Sequence, residues 1–495
     1  MRGLNILMIP RIGQVDGGGS LTAVPMTFLS VALGRDKGAT ATIIAPEHVG
    51  DDSWVLNYVD ADVAARIRVV KVPVETKDQR LLGYCIGETM LRMANYSRNE
   101  FSTFDVIVSN CWASTPAFVT VGEWTHQFQH SARHHTPVVS WGVWNASIGE
   151  SGRPDPLMKS EYDVMAESLG AQMSDLIVFE STRQYAQYRK LMGRYLVPAA
   201  IDRMLNRSVV VPNGADFDAV VMAGARPERA GKTLLWCGRY SEDLQRLAEP
   251  MVNLFRAGRV ERVLFVSIGG DGDAARIAEF VERLGCAAGE LVRSPDRMPQ
   301  SGVVVMSGLD RAKYFEVCLS SDVIVSDLRG GTYGVRFVEA IAAGVVPIVN
   351  EDQIKMFMPP WWTLRSGFVG FGESVIMRAI DFASDPMMEA LRQFVAEHHD
   401  SKRTMWALYE HLVGVVGHGL REQRFMGLED AVDGLFDDVD EIALDDAVRI
   451  MGAATKSKMD LTLNPIFPPV LVRWLLGRLG FSRVDVARNL YARSR

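Results

Sequence analysis

Short apolar runs alternate along this chain with longer stretches in which apolar positions recur every three or four residues. The run LNILMIP is followed by the helical pattern SLTAVPMTFLSVALGRDKG and then by ATATIIAP, which is rich in β-branched residues. That order predicts a strand, a helix and a strand. IRVVKVPV, FDVIVSN, TPVVSWGVW, SDLIVFES and RSVVVPNG continue the series. Most of these runs are apolar throughout instead of alternating, as expected of strands buried on both faces of a parallel sheet covered by helices. A second series opens with KTLLWCGR and proceeds through ERVLFVSIG, GELVRS, GVVVMSG, SDVIVSD and VVPIVNE.

Two such series predict an α/β protein of two Rossmann-like, doubly wound domains, with the cleft between the carboxyl ends of the two sheets as the natural ligand site. The expected limits are 1–215 for the first domain, 216–231 for a hinge (DFDAVVMAGARPERAG) and 232–397 for the second domain. Residues 398–455 are then a helical return segment and 456–495 a basic C-terminal tail.

The length of 495 residues supports this division, since it exceeds what one ordinary core accommodates. Hydrophobic residues make up 48% and charged residues 23% of the chain, and no stretch reaches the roughly 18 uncharged apolar residues of a membrane span. The first apolar run is shorter than a signal-peptide core and lacks a small-residue cleavage site, so a cytoplasmic location is expected. Five cysteines at 85, 111, 237, 286 and 318 show neither zinc-ligand spacing nor a disulfide framework. A formal charge of −7 argues against a globally basic nucleic-acid binder. The charge is uneven, however: residues 422–446 hold ten acids, whereas residues 456–495 hold eight Lys or Arg. Arginines at 473, 478, 483, 488 and 493 recur every fifth residue, which turns each one about 140° round a helix, so an amphipathic helix would not align them.

Candidate chemistry lies in the loops after strands. Gly17, Gly18 and Gly19 precede a helix with Ser20 as its N-cap, a place where backbone N–H groups can approach an anion. Gly238 and Arg239 end the strand run LLWCGR, and a guanidinium there can hold phosphate. The segment GGTYGVRFVEAIAAG places a glycine loop before a helix that carries one carboxylate, Glu339, among apolar residues. A buried carboxylate needs a partner. Arg336, one turn earlier, or ligand hydroxyls would serve. His126, His130 and His134 share one helix face but lack the glutamate of a zinc-protease motif, so no metal site is assigned. Trp141, Trp144 and Asn145 follow a strand, where the rings can stack on a sugar or base or brace a loop.

Taken together, CGRYSED, SGLDRAKYFEVCLSSDVIVSD and GGTYGVRFVEAIAAGVVPIV resemble the donor-binding half of GT-B glycosyltransferases, in particular the large retaining group that uses nucleotide sugars. GGG after the first strand and VVVPNGADFD resemble that group's acceptor-side elements, and the likeness covers roughly residues 3–415. The resemblance implies a GT-B fold with a C-terminal helical extension and sugar transfer from a nucleotide-diphosphate donor with retained configuration. No metal or other cofactor beyond the donor is implied. It also implies that Glu339 binds ribose hydroxyls, that Arg239 contacts the donor phosphates, and that Thr332, Tyr333 and Gly334 line the diphosphate and sugar. Gly17, Gly18 and Gly19, with Trp141, Trp144 and Asn145, would face the acceptor side.

Two positions depart from the family pattern: Leu244 stands where a lysine is usual, and Gly331 where the first of two glutamates is usual. Another cation must then share the diphosphate, and Arg329 and Arg311 are the expected ones, with Arg239, Arg329 and Glu339 as the catalytic set. Phage-type DNA-base glycosyltransferases share this architecture, so a hydroxymethylated pyrimidine in DNA is one implied acceptor. Small-molecule, lipid and glycan acceptors stay open, as do a nucleotide-sugar epimerase and a non-catalytic nucleotide-binding protein of the same fold.

Overall fold

The computed structural model describes residues 3–10, 20–73, 104–110, 112, 115, 136–142, 170–193, 198–223, 232–238, 240, 242–268, 270–287, 291–326, 334–349, 358–359, 361–362, 370–419, 481–485 and 490–493. The chain forms two compact units. One holds Met1–Val15, Val24–Val211 and Ala407–Arg495; the other holds Asp16–Ala23 and Pro212–Trp406.

In the first unit, β1 (Asn5–Ile9), α1 (Ser20–Arg35), β2 (Thr40–Pro46), α2 (Ala61–Ala64) and β3 (Ile67–Val72) come first. They are followed by β4 (Val106–Ser109), β5 (Val138–Gly142), β6 (Leu176–Phe179), α3 (Thr182–Met192), α4 (Pro198–Leu205) and β7 (Ser208–Val210). The strands form one parallel sheet in the order β3-β2-β1-β4-β5-β6-β7. Every residue of β4, β5 and β6 is buried, which is why these runs show no alternation, whereas the edge strands β3 and β7 are half-exposed. Trp112 packs edge-on against Phe179 and Tyr188 in the core.

The second unit starts with α5 (Phe217–Met222), then β8 (Thr233–Gly238), α6 (Glu242–Arg256), β9 (Arg262–Ser267), α7 (Asp271–Arg283) and β10 (Gly302–Met306). After these come α8 (Arg311–Leu319), β11 (Val323–Val325), α9 (Val335–Ala342), β12 (Val346–Ile348), α10 (Glu373–Phe382) and α11 (Met387–His399). Its parallel sheet runs β10-β9-β8-β11-β12. Strand order reverses between β1 and β4 in one sheet and between β8 and β11 in the other, the doubly wound arrangement expected from the two series. Among the described residues no helix is long and apolar enough to cross a membrane.

Three sequence expectations change. The described residues of GELVRS form no strand; Val292 alone of them pairs, in an isolated bridge to Met306. The division between units falls at Val211/Pro212, and the segment 216–231 expected as a hinge contains α5, which packs on α8 and α9 within the second unit. Asp216 caps that helix, its side chain accepting from Ala219 N–H at 3.1 Å. In the basic tail, Phe481–Asp485 and Leu490–Arg493 form an antiparallel pair, β13 and β14, so the arginines at 483 and 493 lie on strands.

The return segment contains α12 (Ser401–Gly419), which begins in the second unit, where Ser401 N–H donates to the Ala215 carbonyl at 2.8 Å. Farther along the helix, the Tyr409 hydroxyl belongs to the first unit, donating to Asp36 at 2.6 Å and accepting from Leu4 N–H at 3.4 Å.

Candidate functional site

The order reversal of the second sheet places the carboxyl ends of β8 and β11 side by side, the position where open α/β sheets receive ligands. Gly238 closes β8; a β-carbon there would lie 2.7 Å from the Trp236 ring, so a larger residue would force the two apart. Gly334 starts α9 with φ 76° and ψ 59°, a left-handed conformation that strains residues with a side chain. Its carbonyl accepts from Phe337 N–H and Val338 N–H, at 2.9 and 3.2 Å, which turns the chain directly into the helix.

Residues 337–342 of α9 are all buried, Glu339 among them, with its side chain 2% exposed. A carboxylate in such a place would cost several kcal/mol if left alone. Two guanidiniums meet it. Arg311 Nη2 donates to Oε1 at 2.8 Å, and Arg336 Nη1 faces Oε2 at 3.5 Å. The carboxylate is thus satisfied by the chain itself, and the expected i−3 partner is joined by one from α8, 28 residues earlier.

Tyr314 organises the helix start: its hydroxyl donates to the Arg336 carbonyl at 2.7 Å, and its ring lies 4.7 Å beneath the Arg336 guanidinium. Burial is the largest single influence and works against the charge on Arg336, but Glu339 beside it, with smaller contributions from Cys237, Tyr314 and Cys318, outweighs it in sum, so this guanidinium holds its proton more firmly than usual. The Cys237 thiol, at the end of β8, is pushed up to about 11, by burial first, with Arg336 and Tyr314 pulling the other way. It is therefore a neutral thiol near pH 7, and burial raises Cys318 and Tyr314 in the same direction.

Arg311, expected on the diphosphate, lies with its two terminal nitrogens on carboxylates of the chain. Besides Glu339, its Nη1 is 3.7 Å from Asp216 Oδ2. Its Nε is buried without a hydrogen-bond partner. Leu244, in the family's lysine position, is a fully buried core residue of α6. Arg239, Arg329, Gly331, Thr332 and Tyr333 lie outside the described residues, so of the predicted donor-side set the structure brings together Arg311, Gly334 and Glu339. Asp216 and Tyr314 were not anticipated. Tyr314 has no sequence signal beyond an aromatic in a helix, whereas Asp216 stands where a cap is expected, three residues before Ala219.

The first unit yields a correction. Trp141, assigned to substrate, lies inside β5, wholly buried and edge-on to Phe28 at 5.6 Å, so it is a core residue with no face for a sugar or base. VVSWGVW shows no break between strand and turn, so the pattern does not mark that the strand runs on through Trp141 to Gly142. Gly17, Gly18, Gly19, Trp144, Asn145, His126, His130 and His134 lie outside the described residues. At the carboxyl ends of β4 to β6, Asn110 Nδ2 donates to the Trp141 carbonyl at 3.2 Å, and Gln184 bridges Glu180 N–H and the Gly142 carbonyl at 2.7 and 2.8 Å.

No protein-family model matches the sequence, and a search of curated proteins finds no match. Solved structures do match. Sucrose-phosphate synthase from Thermosynechococcus elongatus aligns over 84% of this chain and 100% of its own, with a TM-score of 0.56 at 14% identity. Trehalose-6-phosphate synthase aligns over 83% and 99%, with a TM-score of 0.54 at 11% identity. An alpha-glucosyltransferase solved with UDP and a mismatched 13-mer DNA aligns over 83% and 100% at 0.48 and 12% identity, and carries no argument about this chain's acceptor. The structural neighbours are GT-B glycosyltransferases, and the two parallel sheets described above have that fold.

Proposed function

We propose that this chain is a glycosyltransferase that takes its sugar from a nucleoside-diphosphate donor. The observation that carries the reading is Glu339: a buried carboxylate on the first turns of a helix that opens at the carboxyl edge of a doubly wound sheet, behind a left-handed glycine. Each of its oxygens accepts from one guanidinium, and an ionised carboxylate offers about four acceptor sites, so both oxygens retain capacity for a hydroxyl. A vicinal ribose diol presents two such donors.

In this reading Gly334 and the start of α9, with Thr332 and Tyr333, meet the diphosphate, and Arg239 and Arg329 supply the positive charge that the leaving group needs. The acceptor hydroxyl oxygen bonds to the anomeric carbon on the face that the diphosphate leaves, the bond from that carbon to the diphosphate oxygen breaks, and the hydroxyl proton passes to the departing oxygen. Configuration is retained. Each well-placed donor to the developing charge is worth about 2.7–4 kcal/mol of barrier, by analogy with oxyanion holes.

The test is a panel of nucleotide sugars screened by thermal shift and then by sugar transfer. A ligand at 100 times its dissociation constant adds about 2.7 kcal/mol to the native state, a shift easily read. Acceptors are screened with the best donor, hydroxymethylated duplex DNA alongside small molecules, lipids and glycans. Conversion of the donor with no acceptor present would mark an epimerase. Binding without any consumption would mark a protein that has lost catalysis, and no binding across the panel would reject the reading.

A further inference from the structure

We infer that Arg311 is a positioning residue for the donor site: it orients the Glu339 carboxylate for the two ribose hydroxyls and does not meet the diphosphate. The inference rests on the assignment of Glu339 to ribose. Its basis is the way one guanidinium is shared. Arginine binds a carboxylate best through a fork of two nitrogens on both oxygens. Arg311 does otherwise: Nη2 takes only Oε1 of Glu339 at 2.8 Å, Nη1 turns to Asp216 at 3.7 Å, and Nε is left buried and unpartnered. A full fork would occupy both Glu339 oxygens. The splayed arrangement leaves each oxygen with one protein donor and a free lone pair, which is what a vicinal diol requires.

The far end of the bridge is fixed. Asp216 is the N-cap of α5, its Oδ1 accepting from Ala219 N–H at 3.1 Å while Oδ2 faces Arg311. Arg311 itself is the first residue of α8, whose N-cap, Asp310, accepts from Lys313 N–H at 2.8 Å, and its guanidinium lies 5.7 Å from the Phe315 ring. Backbone caps hold both ends, so the guanidinium is set between two carboxylates before any ligand arrives. With its Nη atoms turned to those carboxylates, the fork that would clasp a phosphate is already divided.

The experiment compares wild type with Arg311→Met and Asp216→Asn by calorimetric titration. The probes are UDP, ADP and GDP, the 2′-deoxy counterpart of whichever binds best, and the matching monophosphate. Wild type is expected to prefer the ribonucleotide over the deoxynucleotide by about tenfold or more, the worth of a hydrogen bond to a charged acceptor. Arg311→Met should bring that preference to within about twofold while leaving the ratio of diphosphate to monophosphate affinity unchanged. Asparagine caps helices as well as aspartate does, so Asp216→Asn keeps α5 and removes only the charge facing Nη1; it should lower the same preference partway. If the methionine variant does not fold, Asp216→Asn decides alone. A preference that survives in the variants overturns the inference, as does a collapsed diphosphate-to-monophosphate ratio, which would put Arg311 on the phosphates. Failure of wild type to bind any of the three diphosphates, or to distinguish ribose from deoxyribose, would instead reject the role of Glu339 itself.

Discussion

The two sheets are built alike at their amino ends and differently at their carboxyl ends. In the first unit the Asp105 carboxylate accepts from Asn5 N–H at 2.7 Å, and Asp175 accepts from Val138 N–H at 2.8 Å. In the second, Asp322 accepts from Thr233 N–H, also at 2.8 Å. Each aspartate stands just before a strand and ties it to the start of its neighbour. At the carboxyl ends the likeness stops. Bonds from the neutral amides of Asn110 and Gln184 close the described rim of the first sheet, whereas Glu339, Arg311, Arg336 and Asp216 cluster beside that of the second. A repeated device at one edge secures the fold and leaves the other edge free to diverge.

Substituting Glu339 tests this contrast most severely. Glu339→Ala leaves Arg336 buried without its carboxylate, so it is expected to cost about 3–5 kcal/mol in urea unfolding, together with loss of sugar transfer. Unchanged turnover in that variant would remove the functional edge from the second unit. Acid comes next. His399, at the end of α11, is held down to about 4, by burial first and by His398 second. Its folded value lies below the unfolded one near 6.5, so it contributes full stability above pH 6.5 and loses it as pH falls toward 4. The loss is roughly 3 kcal/mol for a shift of this size. Denaturant midpoints of wild type and His399→Gln, measured across that window, should converge as the pH drops.

Asp175→Ala and Asp322→Ala sharpen the other half of the contrast. Each leaves a buried N–H without its acceptor and should cost about 1–3 kcal/mol, similar in the two units, with nucleotide affinity unaltered. A change in affinity for Asp322→Ala would mean that the amino edge also serves the site. Smallest is Gly334→Ala, which places a β-carbon on a left-handed residue and should cost about 1–2 kcal/mol by thermal unfolding.

Much of this was legible in the chain. SDLIVFE and SDVIVSD announce buried parallel strands because the four positions after the first aspartate, LIVF and VIVS, are apolar or small. Glu339 stands out as the one carboxylate within VRFVEAIAAG, and helical spacing points to Arg336. Arg311 as a second partner could not be read, since its approach depends on how α8 packs beside α9, which no local pattern encodes. Trp141 was misplaced for a related reason: a strand buried on both faces has no polar alternation to mark where it ends. The helix within 216–231 was hidden by glycine, alanine and charge, a composition that also suits a linker.

The path of the chain through α12 has a practical consequence. The polypeptide enters the second unit after Val211 and leaves it after Trp406, and Tyr409 then supplies the hydroxyl that joins Asp36 to the backbone of Leu4. A gene fragment stopping at Val211 would therefore express an incomplete lobe, lacking a tether donated from almost two hundred positions downstream. Whoever dissects this protein should excise 212–406 as an insert and splice 211 directly to 407.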